Sequence, residues 1–164
     1  MHPNDVALLK LPRHSKGKSL AKFQILPAIR SVLLVRGEIL DIMKSLPSGE
    51  VDFTPTRIAC KDDEVVEDFV FARPLNRVAC TDFEKSDVDF DPKLKSYSDW
   101  RKIVFFPGCL GSLSFARETY NKRMIMSDAL KRQIEAVAPR GLHFFLSEEF
   151  EPMAGLLVKE PAER

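Results

Sequence analysis

Side chains able to do chemistry are plentiful in this chain, but few stand at the spacings that chemistry requires. Asp87, Asp89 and Asp91 alternate with Val88 and Phe90, the spacing that opens a calcium-binding loop. Such a loop needs a glycine at its sixth position to make the turn and a bidentate glutamate at its twelfth. Pro92 and Ser98 stand there, so the run is read as a solvated acidic turn. Gly108-Cys109-Leu110-Gly111-Ser112 is glycine-rich, yet no lysine follows to reach a phosphate, and the G-x-S-x-G spacing of a hydrolase elbow is missing. Cys109 would act as a nucleophile only beside a histidine. His14 and His143 are the candidates, and nothing in the sequence brings either close, so Cys109 is read as a buried, inert thiol. No H-x-x-x-H or H-x-H spacing surrounds His143, so no metal site and no cofactor are expected. Carboxylate pairs for general acid–base work exist on paper, but at this density of Asp and Glu they arise by chance.

Composition narrows the classes further. Hydrophobic residues at 45% and charged residues at 30% describe a folded globule, and 164 residues suffice for one domain with a core. The net charge of +1 provides no global field to attract nucleic acid or an anionic membrane, so neither is expected as a partner. That total hides a segregated middle: residues 60–91 hold ten acids against four bases, a net of −6, while residues 1–59 carry +4 and residues 92–164 carry +3. Cys60, Cys80 and Cys109 are odd in number and lack C-x-x-C pairing, which points to reduced thiols rather than a disulfide framework or zinc ribbon. The first residues lack a signal-peptide pattern and no apolar run approaches membrane-spanning length, so a soluble, cytoplasmic protein is expected.

The elements that would position any site follow from apolar spacing. Met124 to Met126 read as a strand, and Ser127 or Asp128 as the cap of a helix whose Leu130, Ile134 and Val137 share one face. Pro139 and Gly141 stop that helix before a strand over Leu142 to Leu146. An earlier unit repeats the order: strand Val32 to Val35, a helix with Ile39, Ile42, Met43 and Leu46 on one face, then strand Val51 to Thr54. Shifting by 91 residues lays Val35 on Met126, Ile39 on Leu130, Met43 on Ile134, Leu46 on Val137 and Phe53 on Phe144 without a gap. The match is either an internal pseudo-repeat or two uses of a common supersecondary unit.

Between the units, Val65 to Phe71 and Asn76 to Cys80 read as strands, with Pro74 as a turn residue. Residues 92–102 read as a polar loop or short helix anchored by Trp100. Ile103 to Phe106 read as a buried strand, Leu110 to Phe115 as another, and Thr119 to Lys122 as a turn. Residues 1–22, with Lys10, Arg13, Lys16, Lys18 and Lys22 and a possible edge strand over Val6 to Leu11, form either a basic docking arm or a solvated terminus. The expected fold is α+β: a mixed, largely antiparallel sheet with a few short helices packed on it, and two strand–helix–strand units in one domain. That domain is placed at residues 23–158, followed by a tail at 159–164.

Three pieces also carry a family resemblance. Phe69 to Cys80 followed by Thr81-Asp82-Phe83-Glu84-Lys85-Ser86 forms a strand and then a D-x-x-x-S segment. Met124-Ile125-Met126-Ser127-Asp128-Ala129-Leu130-Lys131 is an apolar strand, a Ser-Asp pair and a basic helix, and Arg140-Gly141-Leu142-His143-Phe144 is a Gly-x-x-Phe strand. Together, from about residue 39 to 145, they resemble the bacterial immunity proteins of polymorphic-toxin systems, in the family numbered eleven. The resemblance implies binding of a cognate toxin domain and no catalysis. On that reading the acids Asp62, Asp63, Glu64, Glu67, Asp68, Asp87, Asp89 and Asp91 are the candidate partner-binding residues, set against an ordinary solvated face. The alternative is a small cytosolic enzyme using Cys109 or a carboxylate pair.

Overall fold

The computed structural model describes residues 7–10, 17–20, 22–28, 32–60, 62–137 and 144. The expected strand over residues 142–146 lies outside them except for Phe144, as do His14 and His143. The architecture is α+β, as its apolar spacing predicts. The largest sheet holds β1 (Ala7–Lys10), β2 (Ile25–Pro27), β3 (Leu33–Val35), β4 (Val51–Ala59), β5 (Val65–Val66) and β6 (Val70–Pro74). Its order is β1-β4-β6-β3-β2, with β5 also on β4, and every pair is antiparallel except β1 with β4.

β3 is a short run of Leu and Val because both of its faces are covered. Leu33 and Val35 enter one core and Leu34 enters another on the opposite face. A single turn, α1 (Gly17–Leu20), precedes β2; after β3, Gly37 turns the backbone at φ 54°, a conformation that costs glycine little, and opens α2 (Gly37–Lys44). The return strand from β4 is interrupted by a bulge. Between the pairs Pro55↔Val70 and Ile58↔Val66, three residues of the return strand face two of β4. Pro55 has no N–H to give to the ladder, and Thr56 N donates to the Phe69 carbonyl at 3.2 Å instead. Val65 to Phe71, expected as one strand, is therefore divided, and Pro74 ends β6 rather than lying in a turn.

A second sheet joins β7 (Arg77–Val78), β10 (Phe115–Glu118) and β11 (Met124–Met126) in the order β11-β10-β7. α3 (Asp128–Ala136) follows β11, and Ser127 is its cap, the side-chain oxygen accepting from Leu130 N at 3.2 Å. The third sheet is a two-stranded ribbon of β8 (Asp87–Asp91) and β9 (Ser96–Lys102). This ribbon corrects two expectations, since residues 87–91 are strand rather than acidic turn and most of residues 92–102 are strand rather than loop or helix. Residues 103–106 are not a strand: Ile103 is buried, Phe105 makes one bridge to Thr81, and Phe106 is exposed. Turns occupy residues 107–112, so the second strand expected before Phe115 starts only at Phe115 itself.

The 91-residue register is visible in the packing. Ile39, Met43 and Val35 are buried in the same core as Leu130 and Ile134, with Leu46, Phe53, Met126, Val137 and Phe144 packed against it. The two units thus close on each other, helix beside helix, instead of each covering a separate sheet. Ile134→Ala should cost about 2–5 kcal/mol, because truncating a fully buried Ile loses its transfer energy and leaves a cavity. Leu94→Ala, at a side chain 73% exposed, should stay within about 0.5 kcal/mol. Urea denaturation of both variants measures the contrast.

Candidate functional site

Carboxylates fall into two populations here, those that hold the fold and those that face water. Glu118 is fully buried and accepts four hydrogen bonds: Oε1 from Thr81 Oγ1 at 3.0 Å and Cys80 N at 3.4 Å, Oε2 from Tyr120 N at 2.5 Å and Asn121 N at 2.7 Å. Glu50, also buried, accepts from Ser114 N and Phe115 N at 2.9 and 3.0 Å. β10 is therefore held at both ends by buried glutamates, one its own and one from the turn before β4. A buried carboxylate is tolerated only when its lone pairs are met in this way.

Asp82 is a third structural acid. Its Oδ1 accepts from Glu84 N and Lys85 N, and Lys85 Nζ lies 3.0 Å from Oδ2. The hydrogen bond from Lys85 leads in holding its carboxyl below the usual value, against the opposing effect of burial. Ser86 Oγ donates to the Val104 carbonyl at 3.2 Å and accepts from Val104 N at 2.9 Å. The D-x-x-x-S segment is thus a stitch between residues 82–86 and the chain leaving β9.

Thiol chemistry departs from expectation. Cys80 and Cys109 form a disulfide, with Cα atoms 5.2 Å apart, so the expectation of three reduced thiols and a buried, inert Cys109 is corrected. The sequence hid this because the partners are 29 residues apart and no regular element presents them to each other. Cys60 alone is free and buried, and burial, then Asp62 and Glu64, push its thiol up, so at neutral pH it stays protonated and unreactive. Among the described residues no group of three or more His, Cys, Asp or Glu is placed to hold a metal, and no helix is long and apolar enough to cross a membrane.

The eight candidate acids do not meet in one place by contact; they divide between two hairpins. Asp62, Asp63, Glu64, Glu67 and Asp68 flank β5, where they are exposed. Several are engaged locally: Asp62 accepts from Gly17 N, Glu67 pairs with Arg57 at 2.7 Å, and Asp68 pairs with Arg36 at 2.6 Å. Arg36 also donates to the Phe23 and Leu20 carbonyls and lies over the Phe69 ring at 4.7 Å. An open cavity of about 610 Å³ lies between Gly17, Arg36 and residues 64–68. Asp87, Asp89 and Asp91 sit on β8. Arg101 holds Asp87 by two hydrogen bonds of 2.6 and 2.7 Å, and Asp91 accepts from Lys93 N and Leu94 N to shape the hairpin turn.

Acid spacing did not reveal the ribbon's other side. Phe90 faces Tyr97 across the strands, and with Phe83 and Tyr120 they form a quartet with ring centroids 5.0–6.3 Å apart. The Tyr97 hydroxyl is hydrogen-bonded to Thr81 Oγ1, the same oxygen that reaches Glu118, and burial raises its ionisation well above the usual range. Trp100 packs under Arg123, whose guanidinium lies 5.2 Å from the ring.

Two measurements follow from these contacts. Denatured without reductant, the chain should titrate one thiol, and after reduction three; three in both states would refute the Cys80–Cys109 bond. Asp82's depressed folded pKa means that its contribution is complete above its unfolded value of about 4 and is lost as pH falls through the lower folded value. The stability gap between wild type and Asp82→Asn should therefore be widest at neutral pH and close in acid.

A family model described as "Immunity protein family (Imm11)" matches residues 5–147. No curated protein matches the chain.

Proposed function

Since the chain belongs to the immunity protein family Imm11, we propose that it binds a cognate toxin domain and neutralises it without making or breaking bonds. The toxin on this reading is secreted in bacterial competition through a polymorphic-toxin system, and the protein protects the producing or sister cell from within the cytoplasm. Family membership over residues 5–147 carries the proposal. The chemistry of the interior agrees with it. Glu50, Glu118 and Asp82 spend their oxygens on backbone donors, Thr81 and Lys85. No cofactor enters this reading.

The acids Asp62, Asp63, Glu64, Glu67, Asp68, Asp87 and Asp89, all exposed, and the half-buried Asp91 are proposed to face a basic toxin surface. Charges on such a rim mainly accelerate encounter and select the partner. A cytoplasmic place of action goes with Cys80 and Cys109 reduced, and an oxidising compartment with the bond closed. Acid-quenched thiol labelling of the protein in its own cells reads which applies.

Replacing Asp62, Asp63, Glu67 and Asp68 by their amides should slow association with the cognate toxin domain, by about tenfold at low salt, and flatten the salt dependence. Stopped-flow association at two ionic strengths measures both. An unchanged on-rate would remove these acids from the encounter surface, and absence of binding by the wild type would refute the toxin-binding role.

A further inference from the structure

Residues 107–113 leave the body of the fold and return to it with few ties of their own. Before them, Phe106 N donates to the Cys80 carbonyl at 2.8 Å, and after them Ser114 N and Phe115 N donate to Glu50. Between these anchors the backbone bonds are local. Cys109 N donates to the Phe106 carbonyl, Gly111 N to that of Gly108 and Leu113 N to that of Leu110, each an i to i+3 turn. Leu110 and Leu113 are half-buried and belong to neither hydrophobic core. Gly108 and Gly111 are exposed at positive φ, and a Cβ added to either would meet nothing within 4 Å. Successive turns with little apolar packing beneath them open readily in water. Among the described residues, the bond from Cys109 to Cys80 is what fixes this stretch against the sheets.

The two sulfurs differ in what can reach them. Cys80 is fully buried, and its amide donates to Glu118 Oε1 at 3.4 Å while its carbonyl accepts from Phe106 N. Those backbone bonds keep Cys80 in place whether or not its sulfur is paired. Cys109 is half-buried on a turn, next to the exposed Phe106, Pro107 and Gly108. Exchange requires a thiolate to approach one sulfur of the bond, so access decides which sulfur is attacked. Cys60 does not compete: it is buried, and burial followed by Asp62 and Glu64 keeps its thiol protonated.

We propose that Cys109 is a thiol-exchange site, and that its bond to Cys80 is a reversible latch on residues 107–113 opened by a small peptide thiol. The incoming thiolate bonds to Cys109 Sγ. The bond between the two protein sulfurs breaks, and its electron pair leaves on Cys80 Sγ, which takes up a proton. A second small thiol attacks its counterpart's sulfur in the mixed disulfide and releases Cys109 as a thiol. In sum, one protein disulfide and two small thiols become two protein thiols and one small disulfide, with two electrons passing to the protein. The turns are then free, while the hydrogen bonds to Cys80 and Glu50 at either end stay closed. A reducing compartment opens the latch and an oxidising one closes it. This inference goes beyond toxin binding and stands independently of it.

The test uses the full-length oxidised protein under native conditions and reduced glutathione as probe, with acid quenching and peptide mass spectrometry. The glutathione adduct should form on Cys109 and on neither Cys80 nor Cys60. After complete reduction, the amides of Cys109, Gly111 and Leu113 should exchange hydrogen about tenfold faster or more, while those of Phe115 to Glu118 keep their protection. Cys109→Ser should show the fast pattern with or without reductant. A bond that resists glutathione until denaturant is added, or an adduct on Cys80, refutes the exchange site. Reduction that strips protection from β10 as well makes the bond a staple of the whole fold and overturns the latch. Unchanged exchange over residues 107–113 overturns it too, because the bond would then hold nothing there.

Discussion

A carboxylate sealed inside protein must find hydrogen bonds for its oxygens or take a proton, and Glu118 meets that demand with four donors from two separated segments. The segment after β7, the turn after β10 and, through Thr81 and Tyr97, the ribbon all converge on this one side chain. Removing it would leave four buried or half-buried donors without an acceptor, each costing about 1–3 kcal/mol. Glu50 does the same for the start of β10 from a distant turn. The disulfide lies in the same neighbourhood, because the residue whose amide reaches Glu118 is Cys80 itself. By the chain-entropy account, closing that loop, 29 residues in separation, contributes about 3.6 kcal/mol more.

The division of labour among acidic residues follows from this. The interior ones bind backbone and cannot take part in chemistry without loosening the sheet they hold. The outer ones answer to side chains instead: Glu67 to Arg57, Asp68 to Arg36 and Asp87 to Arg101. Asp82 and Ser86, the residues that carried the family resemblance, are on the structural side of that line. The segment that carries the resemblance therefore marks how the chain is held together.

Legibility in the sequence tracked the range of the forces involved. The two strand–helix units were readable because a helix face is written every three or four residues, and Ile39, Met43, Leu130 and Ile134 keep that spacing and are buried together. The ribbon was misread although Asp87-Val88-Asp89-Phe90-Asp91 alternates as a strand does, because alternate carboxylates are also what a cation-binding loop presents. The structural roles of Glu118 and Glu50 left no local trace. Glu50's donors are the amides of residues 114 and 115, and Glu118 adds Cys80 N and Thr81 Oγ1 to two amides of its own turn, so the long-range half of each role is set far away in sequence. Cys80 and Cys109 were lost for the same reason, and the bulge after β5 because one extra residue alters no pattern that a window of sequence detects.

β8 and β9 form a sheet of their own, joined to the remainder by side chains: Tyr97 to Thr81, Ser96 to the Tyr120 carbonyl, and stacked rings. Among the described residues no ladder of main-chain bonds ties this finger to the two larger sheets. Its length, tip and outward residues can be rewritten without disturbing a single register elsewhere. A change confined to the finger thus meets the body only through a few side chains, at Thr81, Phe83 and Tyr120.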